Sequence, residues 1–366
     1  MRRLIQISAA ILLLAGAATI HAQAFAIFSP QAVGNIAAQK DSAAGQKFIR
    51  DANGALKDDP HPMPRIHTEG TLPHQGIRDE SLVAERDWDK ILSFAMAYRL
   101  TGEPRYLAAA DRFLAAWMGV YKASFNPIDE TRLDPVIIAF DLTRGALKPA
   151  TETATLAWLH DTAEGYTAWM ERNGQKDVAN WSSHRVKLAV LAAYELGDAA
   201  LQARAAKVFR DHLALNMNKD GSVEDFYKRD ALHYVVYDLE PLETAALAAQ
   251  AHGEHWFDTG NDGKTLDHGV DWLLPYATGQ KKHQEFVNST VKFDMDRDKA
   301  GEKGYSGPWD PAAGIDTLAL AALMDARFAP ALQQAVTATG RGPAAWMLVY
   351  SAARRGASNT DLPRAN

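Results

Sequence analysis

Apolar side chains recur every three to four residues from Trp88 to Leu100, where Ile91, Leu92, Ala95, Met96 and Leu100 fall on one helical stripe. The turn Thr101-Gly102-Glu103-Pro104 interrupts it, and Tyr106 to Met118 carries a second stripe, which predicts a helical hairpin. The unit recurs from Trp181 to Leu196, through Gly197-Asp198, into Ala199 to Met217. A third instance runs from Leu239 to His252, stops at Gly253 and resumes from Leu266 to Leu274. Thr317 to Phe328, Pro330 to Thr339 and Ala344 to Arg354 also predict helix, and no alternating or β-branched run is long enough to predict a sheet. Helical pairs with short turns over most of the chain predict an all-α fold, an (α/α) toroid or incomplete barrel of antiparallel hairpins around a central cleft. An open solenoid is the rival architecture, and the absence of a consensus among the repeats weighs against it.

From Ala24 to Gly76 the pattern is poor in periodicity. Prolines at 60, 62, 64 and 73 predict an extended loop over about 58–76, either a tether or a lid carrying Arg65, His67 and His74 toward an anionic ligand. Before it, Arg2-Arg3, an apolar run from Leu4 to Ile20 and Ala22-Gln23-Ala24 make a secretory signal pattern over 1–24, with cleavage between Ala22 and Ala26. The run is short for a membrane anchor, so the mature protein, 25–366, is expected to be periplasmic or secreted, with no stable membrane insertion.

Composition changes this picture little. With 366 residues, 47% hydrophobic and 23% charged, the chain can bury a large core in one domain or two. A net charge of -6 argues against a general nucleic-acid or anionic-membrane binder. The absence of cysteine excludes disulfides, thiolate nucleophiles and Cys-based zinc sites.

Candidate chemistry gathers between Asn180 and Tyr237. That stretch opens with Asn180-Trp181-Ser182-Ser183-His184-Arg185 and closes with Lys228-Arg229-Asp230-Ala231-Leu232-His233-Tyr234-Val235-Val236-Tyr237. Singly, each residue has a bland reading: Asn180 as a helix cap, His184 as a structural histidine, Lys228-Arg229-Asp230 as a solvated cluster, and Tyr234 and Tyr237 as core aromatics. Together they match the needs of a uronic-acid eliminase. Removing the C5 proton beside a carboxylate and expelling the C4 oxygen requires the carboxylate charge to be neutralised, which suits Arg, His and Asn. A base must take the proton and an acid must protonate the leaving oxygen, and tyrosine can do either when a nearby cation lowers its pKa.

The chain resembles the alginate lyase superfamily of polysaccharide lyases. The resemblance runs from His74-Gln75-Gly76-Ile77-Arg78-Asp79-Glu80 through Asn126-Pro127-Ile128-Asp129-Glu130 to Asp238-Leu239-Glu240-Pro241-Leu242, with Arg-x-Ala-Leu-His-Tyr-x-x-Tyr-x-Leu-x-Pro-Leu between Arg229 and Leu242 as its most specific part. It implies a single toroidal lyase domain that cleaves a β-1,4-linked polyuronate, polymannuronate/alginate or glucuronan, by β-elimination without a metal or other cofactor. It also implies that Asn180, His184 and Arg229 neutralise the carboxylate and that Tyr237 transfers protons. Tyr234, Trp181, Lys187, His233 and Arg65 are candidate substrate contacts. The expected partner is the acidic polysaccharide alone, and the expected state a monomer.

Two departures point to a sister of the mannuronate-specific branch. That branch has Asn and His adjacent, whereas Trp181-Ser182-Ser183 separates Asn180 from His184. Its Arg lies seven residues before the Tyr, where this chain has Asp230, with Arg229 one residue earlier. Tyr234 therefore stays a rival to Tyr237.

Two other functions remain open. Asp79 with Glu80, Asp129 with Glu130, and Glu224 with Asp225 could serve a toroidal glycoside hydrolase, although neighbouring acids usually point different ways. A non-catalytic polyuronate-binding protein is the other alternative. His252, His255 and His268 lack a carboxylate at ligand spacing, and Gly253 reads as a helix stop, so a structural role is expected of them. No phosphate-binding or nucleotide motif is present.

Overall fold

The structure is a computed structural model and describes residues 24–355 and Leu362. All of the expected leader except Ala24 lies outside the described residues. Sixteen α-helices are present among them, and no strand beyond three isolated bridges. In the first half they are α1 (Pro30–Asn35), α2 (Ala43–Ala55), α3 (Arg78–Ala84), α4 (Arg86–Thr101), α5 (Pro104–Val120), α6 (Asp134–Thr143), α7 (Pro149–Asn173) and α8 (Asn180–Leu196). The second half adds α9 (Ala199–Asn216), α10 (Glu224–Arg229), α11 (Leu232–Ala251), α12 (Leu266–Ala277), α13 (Lys292–Lys299), α14 (Ile315–Met324), α15 (Ala329–Thr339) and α16 (Ala345–Arg355). None of the described helices is long and apolar enough to cross a membrane.

The helices form an (α/α) toroid, and burial separates its two layers. Nearly every residue of α6, α8 and α14 is buried, as inner helices packed on all sides require. Around them, α9 buries Leu201, Ala205, Val208, Phe209 and Leu213 on one stripe and turns Lys207 and Arg210 to water. Neighbours around the inner ring run α4, α6, α8, α11 and α14. The ring closes because α16 packs on α1 and α2, and α2 in turn on α4. The hairpin turns are built as the sequence predicts. Gly102 and Gly197 end α4 and α8 with φ of 72° and 71°, which a side chain resists. Asp198 then caps α9 by accepting from the Ala200 and Leu201 amides.

Several helices differ from the sequence expectation. The stretch after Ala24 is not without periodicity, because α1 and α2 form there. On α2 only Phe48, Ala52 and Ala55 mark the buried stripe among Gly, Gln, Asp and Asn, too small a stripe to stand out. α6 and the 25-residue α7 were also not expected. α11 starts at Leu232, seven residues before the predicted Leu239, so the Arg229–Leu242 motif is itself helical and carries Pro241 inside it.

Glu243 on α11 is fully buried and neither of its carboxyl oxygens is bonded. Burial, then the neighbouring Glu240, pushes its carboxyl well above the usual range. The folded protein therefore keeps a proton that the unfolded chain releases, so stability is greatest below the unfolded pKa of about 4.3 and declines as pH rises toward the folded value. Glu243→Met is expected to raise Tm at neutral pH and to flatten this decline between pH 5 and 8. Thermal denaturation across that range checks it; an unchanged slope contradicts the assignment.

Candidate active site

The centre of the site is set by a missing hydrogen. Pro241 has no N–H to offer the Tyr237 carbonyl four residues earlier on α11. The His184 ring on α8 lies beside that carbonyl, whose dipole favours the protonated imidazole. The imidazole lies against the Tyr237 phenol, centroids 4.3 Å apart at 55°. Thr131, in the loop before α6, places its hydroxyl 2.7 Å from His184 Nδ1 and also bonds the Tyr237 side chain. Lys187, one turn along α8, fixes Thr131 by donating to its carbonyl (2.6 Å) and to Asp134 (2.7 Å).

These surroundings push the two rings' protonation apart. Burial, then the Lys187 charge, holds His184 well below its ordinary 6.5, so the imidazole is neutral at neutral pH. Burial pushes the Tyr237 phenol up to about 12, with the Thr131 bond opposing, so the phenol keeps its proton. One group can accept a proton and its neighbour can give one.

His233, Tyr237 and Glu240 share the half-exposed face of α11 and line a cavity of about 410 Å³, with Asp316 and Arg341 on its far wall. Burial, then Asp316, raises Glu240 to about 8, so it is largely uncharged at neutral pH. His233 is lowered to about 4 by burial and then Arg297, and stays neutral. A larger cavity, about 620 Å³ between α5 and α7, contains none of the candidate residues; the chemistry, not the volume, locates the site.

The remaining sequence candidates lie around this centre rather than in it. The Asn180 N–H and Nδ2 both donate to Asp225, at 2.7 and 2.9 Å. Arg229 is paired with Asp294 and, at 3.6 Å, with Asp225, and its guanidinium covers the Tyr234 ring at 3.8 Å. Both side chains thus face carboxylates and brace the start of α8 against α10 and α13. Asp230, at the position expected for the family's Arg, has φ 48° and takes the Asn288 N–H and Nδ2. Trp181 is half-buried on the side of α8 toward Arg185, which stacks on Trp169 at 3.4 Å and pairs with Asp177. Arg65 is exposed, while His67 bonds Asp129 (3.1 Å) and His74 bonds Asp79 (2.6 Å).

Four residues that matter were missed. Thr131 follows the Asp129-Glu130 pair directly, and its small hydroxyl beside a familiar segment was the only signal. Arg297, on α13, donates to the Tyr234 hydroxyl at 3.3 Å and to Tyr305, and its charge acts on both His233 and Tyr237. No local spacing ties residues 297 and 305 to 237. Asp225 was weighed only as a hydrolase acid. Glu302, after α13, meets Arg78 at 3.2 Å, joining this segment to the one behind the proline-rich loop.

The paired acids do not form a hydrolytic pair. Glu130 is buried and accepts from Tyr121, Tyr166 and Ser124, while Asp129 accepts from the Thr68 and Glu69 amides. Asp225 is engaged with Asn180 and Arg229, and Asp79 with His74. His252 stacks on Phe25 and bonds its carbonyl (2.9 Å), and His268 bonds the Gly263 carbonyl (3.0 Å).

With this geometry in hand, the relatives of the chain can be placed. The family described as alginate lyase matches residues 33–283. An alginate lyase from Bacteroides ovatus is similar in structure, with a TM-score of 0.63 at 16% identity over 89% of this chain and 99% of that one. Alginate lyase A1-III from Sphingomonas species A1 gives 0.54 at 17% identity over 70% of this chain and 80% of that one. A tyrosine-to-phenylalanine variant of alginate lyase A1-III, complexed with tetrasaccharide, gives 0.51 at 16% identity over the same shares. At these identities the likeness is one of fold. No curated protein matches the chain.

Pro241→Ala restores an N–H that competes with His184 for the Tyr237 carbonyl. The variant is expected to keep or raise Tm, since a proline inside a helix costs about 3 kcal/mol, and to lower the His184 pKa further, because the carbonyl bond favours the protonated ring. Imidazole NMR titration beside a melting curve reads both; an unmoved His184 signal contradicts the role given to Pro241.

Proposed function

We propose, since the chain belongs to the alginate lyase family and is therefore a polysaccharide lyase, a carbon–oxygen lyase, that it is exported and cleaves a β-1,4-linked polyuronate, polymannuronate or glucuronan. The observation that carries this reading is the His184–Thr131–Tyr237 cluster, a buried neutral imidazole in contact with a protonated phenol that lines a cavity. The tetrasaccharide complexed with an alginate lyase variant of this fold supports a polysaccharide as the partner.

In this mechanism a uronate sits with its C5 hydrogen toward His184 and its C4 oxygen toward Tyr237. His184 takes the C5 proton. The freed electron pair forms the C4–C5 double bond as the C4–O bond breaks, and Tyr237 gives its proton to the departing oxygen. The carboxylate carries the developing negative charge and needs cations facing it. Arg297 and Arg341 meet that need, while Asn180 and Arg229 act one step back through Asp225 and Asp294. Where the C5 proton lies on the Tyr237 side, the phenol would have to take it first, and a group held at about 12 is poorly prepared for that.

Tyr237→Phe is expected to lower kcat/KM by about 10²- to 10⁴-fold while folding and polyuronate binding persist. The near-ultraviolet absorbance of the conjugated product, followed on polymannuronate and glucuronan in turn, reads the loss and ranks the two substrates. Full activity would remove Tyr237 from the chemistry. Binding of both polymers by the unaltered protein without new absorbance would favour the non-catalytic binder.

The pH profile provides an independent check. Because His184 is pushed below 6.5, the acid limb of kcat/KM should fall below that pH; because Tyr237 is pushed up to about 12, no alkaline limb from the phenol should appear before the fold is lost. An acid limb above pH 6.5 contradicts His184 as the base.

A further inference from the structure

Away from the cleft, the backbone of Ala26, Ile27 and Phe28 is gripped by two inner helices. Asp141 on α6 accepts from all three amides, at 2.6, 2.7 and 2.9 Å, and Glu195 on α8 accepts from Ala26 at 3.0 Å. All three residues are buried, as are both carboxyls. Just before them, the Phe25 ring stacks on His252 at 4.1 Å.

With both carboxyls ionised, the charges in this socket would not balance. The two carboxyls share one guanidinium, Arg144, which reaches Glu195 at 3.0 Å and the Ala24 carbonyl at 3.2 Å. His252, on the other side of Phe25, is kept neutral by burial. Beyond it Tyr194 gives its hydroxyl to Glu254, and on α16 Tyr350 faces Asp141 with Arg354 over its ring. Burial, then the charge of Asp141 and a hydrogen bond with it, push the Glu195 carboxyl well above its ordinary range, as befits two acids that share a proton where the described residues place no second cation between them. Immediately N-terminal to Phe25 stands Ala22-Gln23-Ala24, with small residues one and three positions before the Ala24–Phe25 bond.

We propose that the Ala24–Phe25 bond is a proteolytic maturation site and that the α-ammonium released at Phe25 is the second cation of the Asp141–Glu195 socket. Water supplies hydroxide to the Ala24 carbonyl as the C–N bond breaks; the Phe25 nitrogen takes the remaining hydrogen and one further proton from solvent. A peptidase needs this backbone extended and open, and in the folded protein residues 26–28 are buried. Cleavage therefore comes first and seating of the new terminus follows. The inference depends on export and is independent of the lyase reading.

The sign of the pH effect follows. An α-ammonium between two carboxyls has its pKa raised above the ordinary value of about 7.7–8.0. Its stabilisation is fully present below that value and is lost as pH rises through the raised one.

The test has two arms. The full chain, expressed in an exporting bacterial host, is purified and its intact mass and N-terminal sequence are read; Phe25 as first residue supports the proposal, and any other start, Met1 included, overturns it. Protein starting at Phe25 is then compared with protein carrying Gly-Ser-Ala24 before it. The first is expected to melt about 2–4 °C higher at pH 7, with the gap closing toward pH 10 and shrinking at pH 7 in Glu195→Gln. A gap that is absent, or that does not change with pH, overturns the ammonium socket even where that variant fails to fold.

Discussion

One absent amide hydrogen organises the site. An α-helix satisfies every interior carbonyl from four residues ahead, and Pro241 breaks that rule once, at Tyr237. The freed acceptor sits on an inner helix packed against α8, and from α8 the His184 ring comes to lie beside it. The ring's Nδ1 meets the Thr131 hydroxyl, and Thr131 is held in turn by Lys187. Each link fixes the next, so a defect in backbone hydrogen bonding becomes a fixed relation between an imidazole and a phenol.

The second constraint is electrostatic. Carboxyls on the inner helices, Glu240 and Asp316 at the cavity and Glu243 and Asp238 behind it, would repel an anionic polymer if all were ionised. Burial prevents this by raising each of them, Glu240 to about 8. Glu240, held at about 8, then keeps its proton at neutral pH and does not present a full negative charge to the cavity. In the proposed mechanism the balance facing a bound uronate is therefore set by Arg341 on the cavity wall and by the charge of Arg297, which acts on Tyr237.

How much of this was legible in the sequence depended on the length scale of the signal. Hairpins such as α4–α5 and α8–α9 could be read because a 3.6-residue stripe, a left-handed Gly and a following cap are all local. Tyr237 could be read from the Arg229–Leu242 motif, and His184 from the family resemblance that sets an Asn and a His near the start of an inner helix. α2 could not be seen, because alanine and one phenylalanine make its stripe. Arg297, Tyr305 and Asp225 could not be placed either, since their partners lie across the ring. The proline-rich segment was readable as a loop, but not its docking on Asp129 through the Thr68 and Glu69 amides.

The one-residue displacement of Arg229 shows why such contacts escape a linear reading. A step of one residue turns a helical side chain by about 100°, and here the displacement falls where α10 ends in the left-handed residue Asp230. Arg229 is thereby carried off the Tyr237 face of the motif and onto the Tyr234 ring, where Asp294 and Asp225 balance its charge. Asp230, in the vacated position, anchors the segment at 283–288 by its carboxylate and carbonyl. That segment leads into α13, which brings Arg297 beside Tyr234 and Tyr305 and within electrostatic reach of Tyr237. In the proposed mechanism the neutralising cation therefore shifts from the motif to a helix some sixty residues later, and the acidic residue at position 230 helps to put it there.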